Sequence, residues 1–188
     1  MAPFVGLTGG LGAGKSEALR ILEELGAATL STDAVVHELL AGDEVQAALA
    51  ERFGADIAGD RAKIAERVFG EEEERRWLEG LLWPLVGQRV VEWRASVPAE
   101  QVAVVEVPLL FESGMESAFD ATIAVVADED TREARAAERG HVGVEERAGR
   151  QLTQKEKADR ADYTVRNDGS RHELKQTLSQ LIAKLESA

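Results

Sequence analysis

Cysteine is absent from this chain of 188 residues. That removes disulfides, thiolate nucleophiles and thiolate metal sites, and it fits an intracellular protein. Histidine is scarce. His37, His141 and His172 are widely spaced and form no ligand pattern, so none is expected to hold zinc. No apolar run approaches the length of a membrane span. The N-terminal stretch has neither a basic region nor a long apolar segment, so no signal peptide is expected and the chain reads as cytoplasmic. Positive charge is in deficit: 22 Lys and Arg face 35 Asp and Glu, a formal net charge of −13. Such a surface opposes nonspecific binding to nucleic acid or to anionic membrane, and neither is expected as a partner.

The deficit is uneven. Residues 131–160 hold eight Lys/Arg against six Asp/Glu, while the rest of the chain carries 14 basic and 29 acidic residues. The basic stretch is where a second clamp on phosphate is expected. Its arginines are Arg132, Arg135, Arg139, Arg147 and Arg150. Most of them are expected to pair with neighbouring glutamates on a solvated helix face, leaving one or two for phosphate.

What is present in abundance near the start is glycine. Residues 3–16 read PFVGLTGGLGAGKS, and Gly9, Gly14, Lys15 and Ser16 fit the phosphate-loop pattern G-x-x-x-x-G-K-[ST]. The loop Gly9, Gly10, Leu11, Gly12, Ala13, Gly14 can turn successive N–H groups into one concavity around an anion. Lys15 brings charge to the outer phosphates, and Ser16 offers a hydroxyl to Mg²⁺. The pattern needs a strand before it and a helix after it. Phe4, Val5 and Leu7 supply the first. Residues 17–25 supply the second, with Leu19, Leu22 and Leu25 at helical spacing and Gly26 as its stop.

Further strands are expected at 27–31, 101–107, 121–127 and 162–167, separated by helical patterns. Ser170 with Glu173 reads as a capping box for the last helix. Pro84 is expected to break or restart the helix that runs from 71 to 96. Strands alternating with helices predict an α/β three-layer sandwich with a five-stranded parallel sheet, of the P-loop nucleotide-kinase-like kind. The whole chain reads as one domain. Its core is about 1–54, 97–130 and 161–188, with a helical substrate-binding insertion at about 55–96 and a lid at about 131–160. Asp33 follows the second strand, where ligands gather in such sheets. It suits either a helix N-cap or a carboxylate beside the phosphates.

Together these stretches resemble the dephospho-coenzyme A kinase family over nearly the whole chain. The likeness is carried by GLTGGLGAGKS, by TDAVVHEL around Asp33, by LLWPLV at 81–86, by VPLLFESG at 107–114 and by ADYTVRNDGS at 161–170. The resemblance implies transfer of the ATP γ-phosphoryl to the ribose 3′-hydroxyl of dephospho-CoA, the last step of coenzyme A synthesis. It implies Asp33, Lys15 and Arg139 as catalytic residues. ATP is then held by Gly9 to Ser16, with Glu17, Arg139 and Asn167, and Mg²⁺ is supported by Ser16. Thr8, Asp33, Leu109, Leu110 and Glu112 would line the acceptor side. ATP and dephospho-CoA are thus the expected partners, and a monomer is compatible with the sequence. Three positions depart from the family. Ser31 stands where the first Asp of D-A-D is usual, Trp83 replaces the His before Pro84, and Glu17 replaces a small hydroxyl residue. Rival readings are another nucleoside or nucleotide kinase and a catalytically silent nucleotide-binding module. A GTPase switch would need an Asn-Lys pair for guanine, and the sequence has none.

Overall fold

Alternating and continuous apolar runs become strands here because both faces of the sheet are covered. Val5 and Leu7 of β1 (Phe4–Gly9), Val104 of β3 (Ala103–Glu106) and Ile123 and Val125 of β4 (Ala121–Val126) are all fully buried. The computed structural model describes residues 2–132 and 152–187, apart from the side chain of Phe69. With β2 (Ala28–Ser31) and β5 (Tyr163–Arg166), the strands form one parallel sheet in the order β2-β3-β1-β4-β5. The five strands therefore stand within a residue or two of where the sequence puts them. β1 lies between β3 and β4, so the chain reverses its winding direction on either side of it, and the loop after β1 occupies the resulting crevice.

The chain divides into two compact units, Met1–Ser31 with Val97–Ala188, and Thr32–Ser96. In the first, α1 (Lys15–Glu24) and α8 (Arg171–Glu186) share an apolar cluster with the sheet face that carries Val5, Leu7, Val104, Ile123, Val125 and Val165. Ile21, Leu22 and Leu178 are fully buried in it. Each such side chain contributes about 1.5–3 kcal/mol by leaving water. Ser170 and Glu173 close the predicted capping box at the start of α8. A second box was not foreseen: Thr153 and Glu156 cap α7 (Gln154–Arg160), which packs on β4 and β1. The end of the segment expected to form a lid is thus part of the sheet's cover.

The second unit holds α2 (Thr32–Ala41), α3 (Asp43–Phe53), the short α4 (Ala55–Ala58), α5 (Arg61–Gly70) and α6 (Glu72–Ser96). Val45, Leu49, Ala58, Ile64 and Leu82 form its core, with Trp77, Leu81 and Leu85 packed against them, as the spacing of those three predicts. Val45 and Leu49 of α3 are buried in this cluster and Val36, Leu39 and Leu40 of α2 pack against it, within the compact unit Thr32–Ser96. Pro84 does not break the helix. α6 runs unbroken through it for 25 residues. A proline ring in a helix clashes with the carbonyl four residues earlier and removes one hydrogen bond, at a cost of about 3 kcal/mol. Burial of Leu82, Val86 and Val90 on the same helix offsets that cost.

Candidate active site

The loop 9–14 is fixed from three sides. Gly9 has no room for a side chain, since a Cβ there would stand 2.3 Å from the Val125 carbonyl oxygen of the neighbouring strand. Gly12 takes a φ of +75°, and a Cβ on it would meet the Arg132 carbonyl oxygen at 2.5 Å. Positive φ is open to glycine and strained for other residues. From behind, Asn167 donates through Nδ2 to the Ala13 carbonyl at 2.9 Å. Asn167 is buried, and its own N–H donates to Val126 at 2.8 Å, so the end of β5 holds the loop in place. From above, Arg132 donates through Nε to the Leu11 carbonyl at 3.0 Å. Gln154 clamps the end of β4 by pairing both ways with the Ala127 backbone, at 2.7 and 3.1 Å, and its Cβ would lie 3.5 Å from a Cβ on Gly10.

Within the loop, Lys15 donates to the Gly10 carbonyl at 3.2 Å, which lays its ammonium across the concavity. Ser16 is exposed in the first turn of α1. The helix's free N–H groups and the positive end of its dipole face the same anion site. Glu17 also sits in that first turn, but its carboxylate is engaged by Arg20 and by Arg171, the latter at 2.6 Å. The negative charge that Glu17 adds is therefore drawn toward α8 and balanced there. Among the described residues no cluster of three or more His, Asp or Glu could hold a metal ion. A metal at this loop would draw on the Ser16 hydroxyl and on phosphate oxygens, a hard-oxygen set that suits Mg²⁺.

At the carboxyl end of the neighbouring strand, the segment after β3 is tied to the start of the loop. Thr8 is fully buried and donates through Oγ1 to the Pro108 carbonyl at 3.2 Å. The same carbonyl accepts from Lys157 Nζ at 2.5 Å. Lys157 also pairs with Glu112 at 2.9 Å, and Glu112 Oε1 accepts the Leu152 N–H at 2.9 Å. Leu110 is fully buried and lies against Gly6, whereas Leu109 is half-buried. Burial pulls the Lys157 pKa down, and Glu112 opposes that pull only in part. A carboxylate that the sequence reading passed over, Glu106, lies buried at the end of β3, paired in register with Ser31 of β2. It keeps an acid at the strand ends beside the position where Ser31 departs from the family.

Asp33 belongs to the other unit. It is exposed in the first turn of α2, two residues after β2 ends. Because α2 starts at Thr32, Asp33 is inside the helix and is not its N-cap; its carboxylate is left for another use. Arg139, with Arg135, Arg147 and Arg150, lies outside the described residues. The structure thus gathers the phosphate loop with Asn167 on one side, and Thr8 with Pro108 and Glu112 on the other. Lys157 and Gln154 escaped sequence reasoning as individual contacts, whereas Arg132, expected among the basic residues near phosphate, holds the Leu11 carbonyl of the loop. Only the basic character of their segment marked Lys157 and Gln154.

Comparison with known proteins points to one family. The family model described as dephospho-CoA kinase matches residues 3–173. A dephospho-CoA kinase of Protochlamydia amoebophila is 38% identical, over 96% of this chain and 95% of its own length. One from Mycolicibacterium paratuberculosis is 39% identical over 94% of this chain, which spans only 46% of that longer protein. Among solved structures, a Thermus thermophilus protein superposes with a TM-score of 0.82 at 30% identity, covering 97% of each chain. With a family model that spans most of its length and a relative at this identity matched over nearly the whole of both chains, the chain belongs to the dephospho-CoA kinase family.

Proposed function

We propose that this chain uses its own phosphate loop, Lys15 and Asp33 to move the γ-phosphoryl of ATP onto the ribose 3′-hydroxyl of dephospho-CoA. Family membership gives the activity at its coarser level: the chain is a kinase of the last step of coenzyme A synthesis. The roles of individual residues are our reading. Phosphoryl transfer asks the protein for positioning and charge stabilisation more than for covalent chemistry. Gly9 to Ser16 cradle the phosphates through backbone N–H groups. The Lys15 ammonium exchanges the Gly10 carbonyl for the outer phosphates, because a phosphate is the stronger acceptor. Ser16 would hold Mg²⁺, which when bound neutralises phosphate charge. Glu17 contributes only backbone to the site, and Asn167 acts on ATP through the loop that it anchors. Arg139 is proposed as a further cation on the transferred group.

On the acceptor side, Thr8, Leu109 and the segment around Leu110 and Glu112 form the wall that the substrate meets. Asp33 accepts a hydrogen bond from the 3′-hydroxyl and takes its proton as the new bond forms. In a loose transition state that proton leaves late, so the orienting hydrogen bond carries most of the effect. The observation that carries this reading is the joint fixing of loop and acceptor segment on one peptide group, the Pro108 carbonyl.

An acceptor panel with Mg-ATP tests it. Dephospho-CoA should be phosphorylated, and adenosine and AMP should not. A preference for either nucleoside or nucleotide over dephospho-CoA overturns the reading. No turnover with any acceptor would favour a silent nucleotide-binding module. Lys15→Ala should weaken nucleotide binding and turnover together, and unchanged nucleotide affinity at an intact rate would contradict the role given to the loop.

A further inference from the structure

Lys157 is the largest fully buried side chain in the described structure, and it is charged or neutralised at a cost in either form. It stands on α7, packed on β4 and β1, and reaches across to the segment after β3. There its ammonium meets two acceptors, the Pro108 carbonyl at 2.5 Å and Glu112 at 2.9 Å. The Pro108 carbonyl is also held by Thr8, the residue directly before the first glycine of the phosphate loop. Glu112 Oε1 in turn accepts from the Leu152 backbone at 2.9 Å, and its Oε2 is buried without a partner. One buried cation therefore joins three segments: the entry to the phosphate loop, the acceptor segment and the start of α7.

An apolar residue of similar volume would satisfy packing alone at least as well, because a buried ion pair seldom gains stability over a hydrophobic substitute. What such a pair can add is registry. Transfer between two bound groups loses rate steeply when one is misplaced by about 1 Å. We propose that Lys157 is a positioning residue for the reaction: it locks the Pro108 carbonyl and Glu112 so that the acceptor segment stays in register with the phosphate loop. On this view the Glu112 carboxylate is the counter-ion that holds Lys157, and the pair fixes the acceptor wall to which Glu112 belongs. The inference rests on the reading of residues 107–114 as the acceptor wall. Burial pulls the Lys157 pKa down, and it is the Glu112 carboxylate that works against this pull in favour of the ammonium.

The test compares wild type with Lys157→Met, Lys157→Arg and the double variant Lys157→Met/Glu112→Gln. For each, kcat, KM for dephospho-CoA, the ATP dissociation constant and the melting temperature are measured. Wild-type turnover of dephospho-CoA is the control on the acceptor reading itself; its failure would condemn that reading separately. The single Met variant should lose stability, since it leaves Glu112 buried and unpaired. The double variant should regain most of the melting temperature, yet keep kcat/KM for dephospho-CoA at least tenfold below wild type, with ATP affinity changed less than twofold. Lys157→Arg should recover part of the activity. If the double variant recovers activity along with its melting temperature, the pair is only structural and the proposal fails. A loss of ATP affinity as large as the loss in kcat/KM would equally overturn it, because registry with the acceptor leaves the nucleotide site intact.

Discussion

At the scale of single residues, the account turns on which polar groups are already committed. Glu17 and Asn167 are. Glu17 is held by Arg20 and Arg171, and Asn167 by the Ala13 carbonyl. The family resemblance implies both as nucleotide-binding positions; in the structure the Glu17 carboxylate pairs toward α8 and the Asn167 amide donates to the loop. Asp33 stands exposed in the first turn of its helix, with no cap to make. Asp33→Asn should therefore leave the fold and ATP binding as they are and lower turnover by roughly 10²–10⁴-fold, the usual worth of a positioned general base. Comparison of kcat with the ATP dissociation constant checks this. Near-normal turnover would remove Asp33 from the mechanism. The loop itself was legible because its glycines and Lys15 follow a short local pattern. Lys157 was not, because its partners Pro108 and Glu112 lie over 40 residues away in the chain, and nothing local distinguishes it from the solvated cations Lys155 and Arg160.

At the scale of elements, local pattern predicts what each stretch is, and tertiary burial decides how far it runs. The strands and the capping box at Ser170 follow from local chemistry. α6 does not, since its proline should have ended it. The helix persists because Leu82, Val86 and Val90 are buried along one side. This gives a direct expectation. Pro84→Ala should stabilise the protein, by about 1–3 kcal/mol, as it restores a hydrogen bond and relieves the clash without touching the buried side chains. Chemical denaturation measures the change; a destabilised variant would mean that the ring itself makes contacts worth more than the helix gains. The start of the compact helical unit at Thr32 likewise follows from tertiary burial. α3 looks like an ordinary sheet-covering helix by its periodicity, and only its shared cluster with Leu82 and Ile64 assigns it elsewhere.

At the scale of the whole molecule, charge sets the response to pH. Glu24, Glu156 and Glu173 have carboxyl pKa values lowered below the ordinary range. The causes are the Lys175 and Arg171 side chains for Glu24, and the backbone N–H groups of Thr153 and Ser170 for the other two. A carboxylate whose folded pKa is lowered contributes stability above its unfolded value and loses it as pH falls through the folded one. The melting temperature should hold from neutral pH to about the ordinary carboxylate range and then drop as these groups protonate. Glu24→Gln should flatten part of that drop. A melting temperature that keeps rising below that range would contradict the assignment, and would point to relief of the −13 net charge as the stronger effect.

The claim at the centre of this account is that the phosphoryl group crosses from the nucleotide in the loop to a sugar hydroxyl beside the acceptor segment. The direct measurement is to incubate the protein with Mg²⁺, γ-³²P-labelled ATP and dephospho-CoA, and to locate the label in the product. The account predicts label on the ribose 3′-oxygen, giving coenzyme A in step with ADP. Label released only as inorganic phosphate, or found on another acceptor while dephospho-CoA stays unmodified, would contradict it.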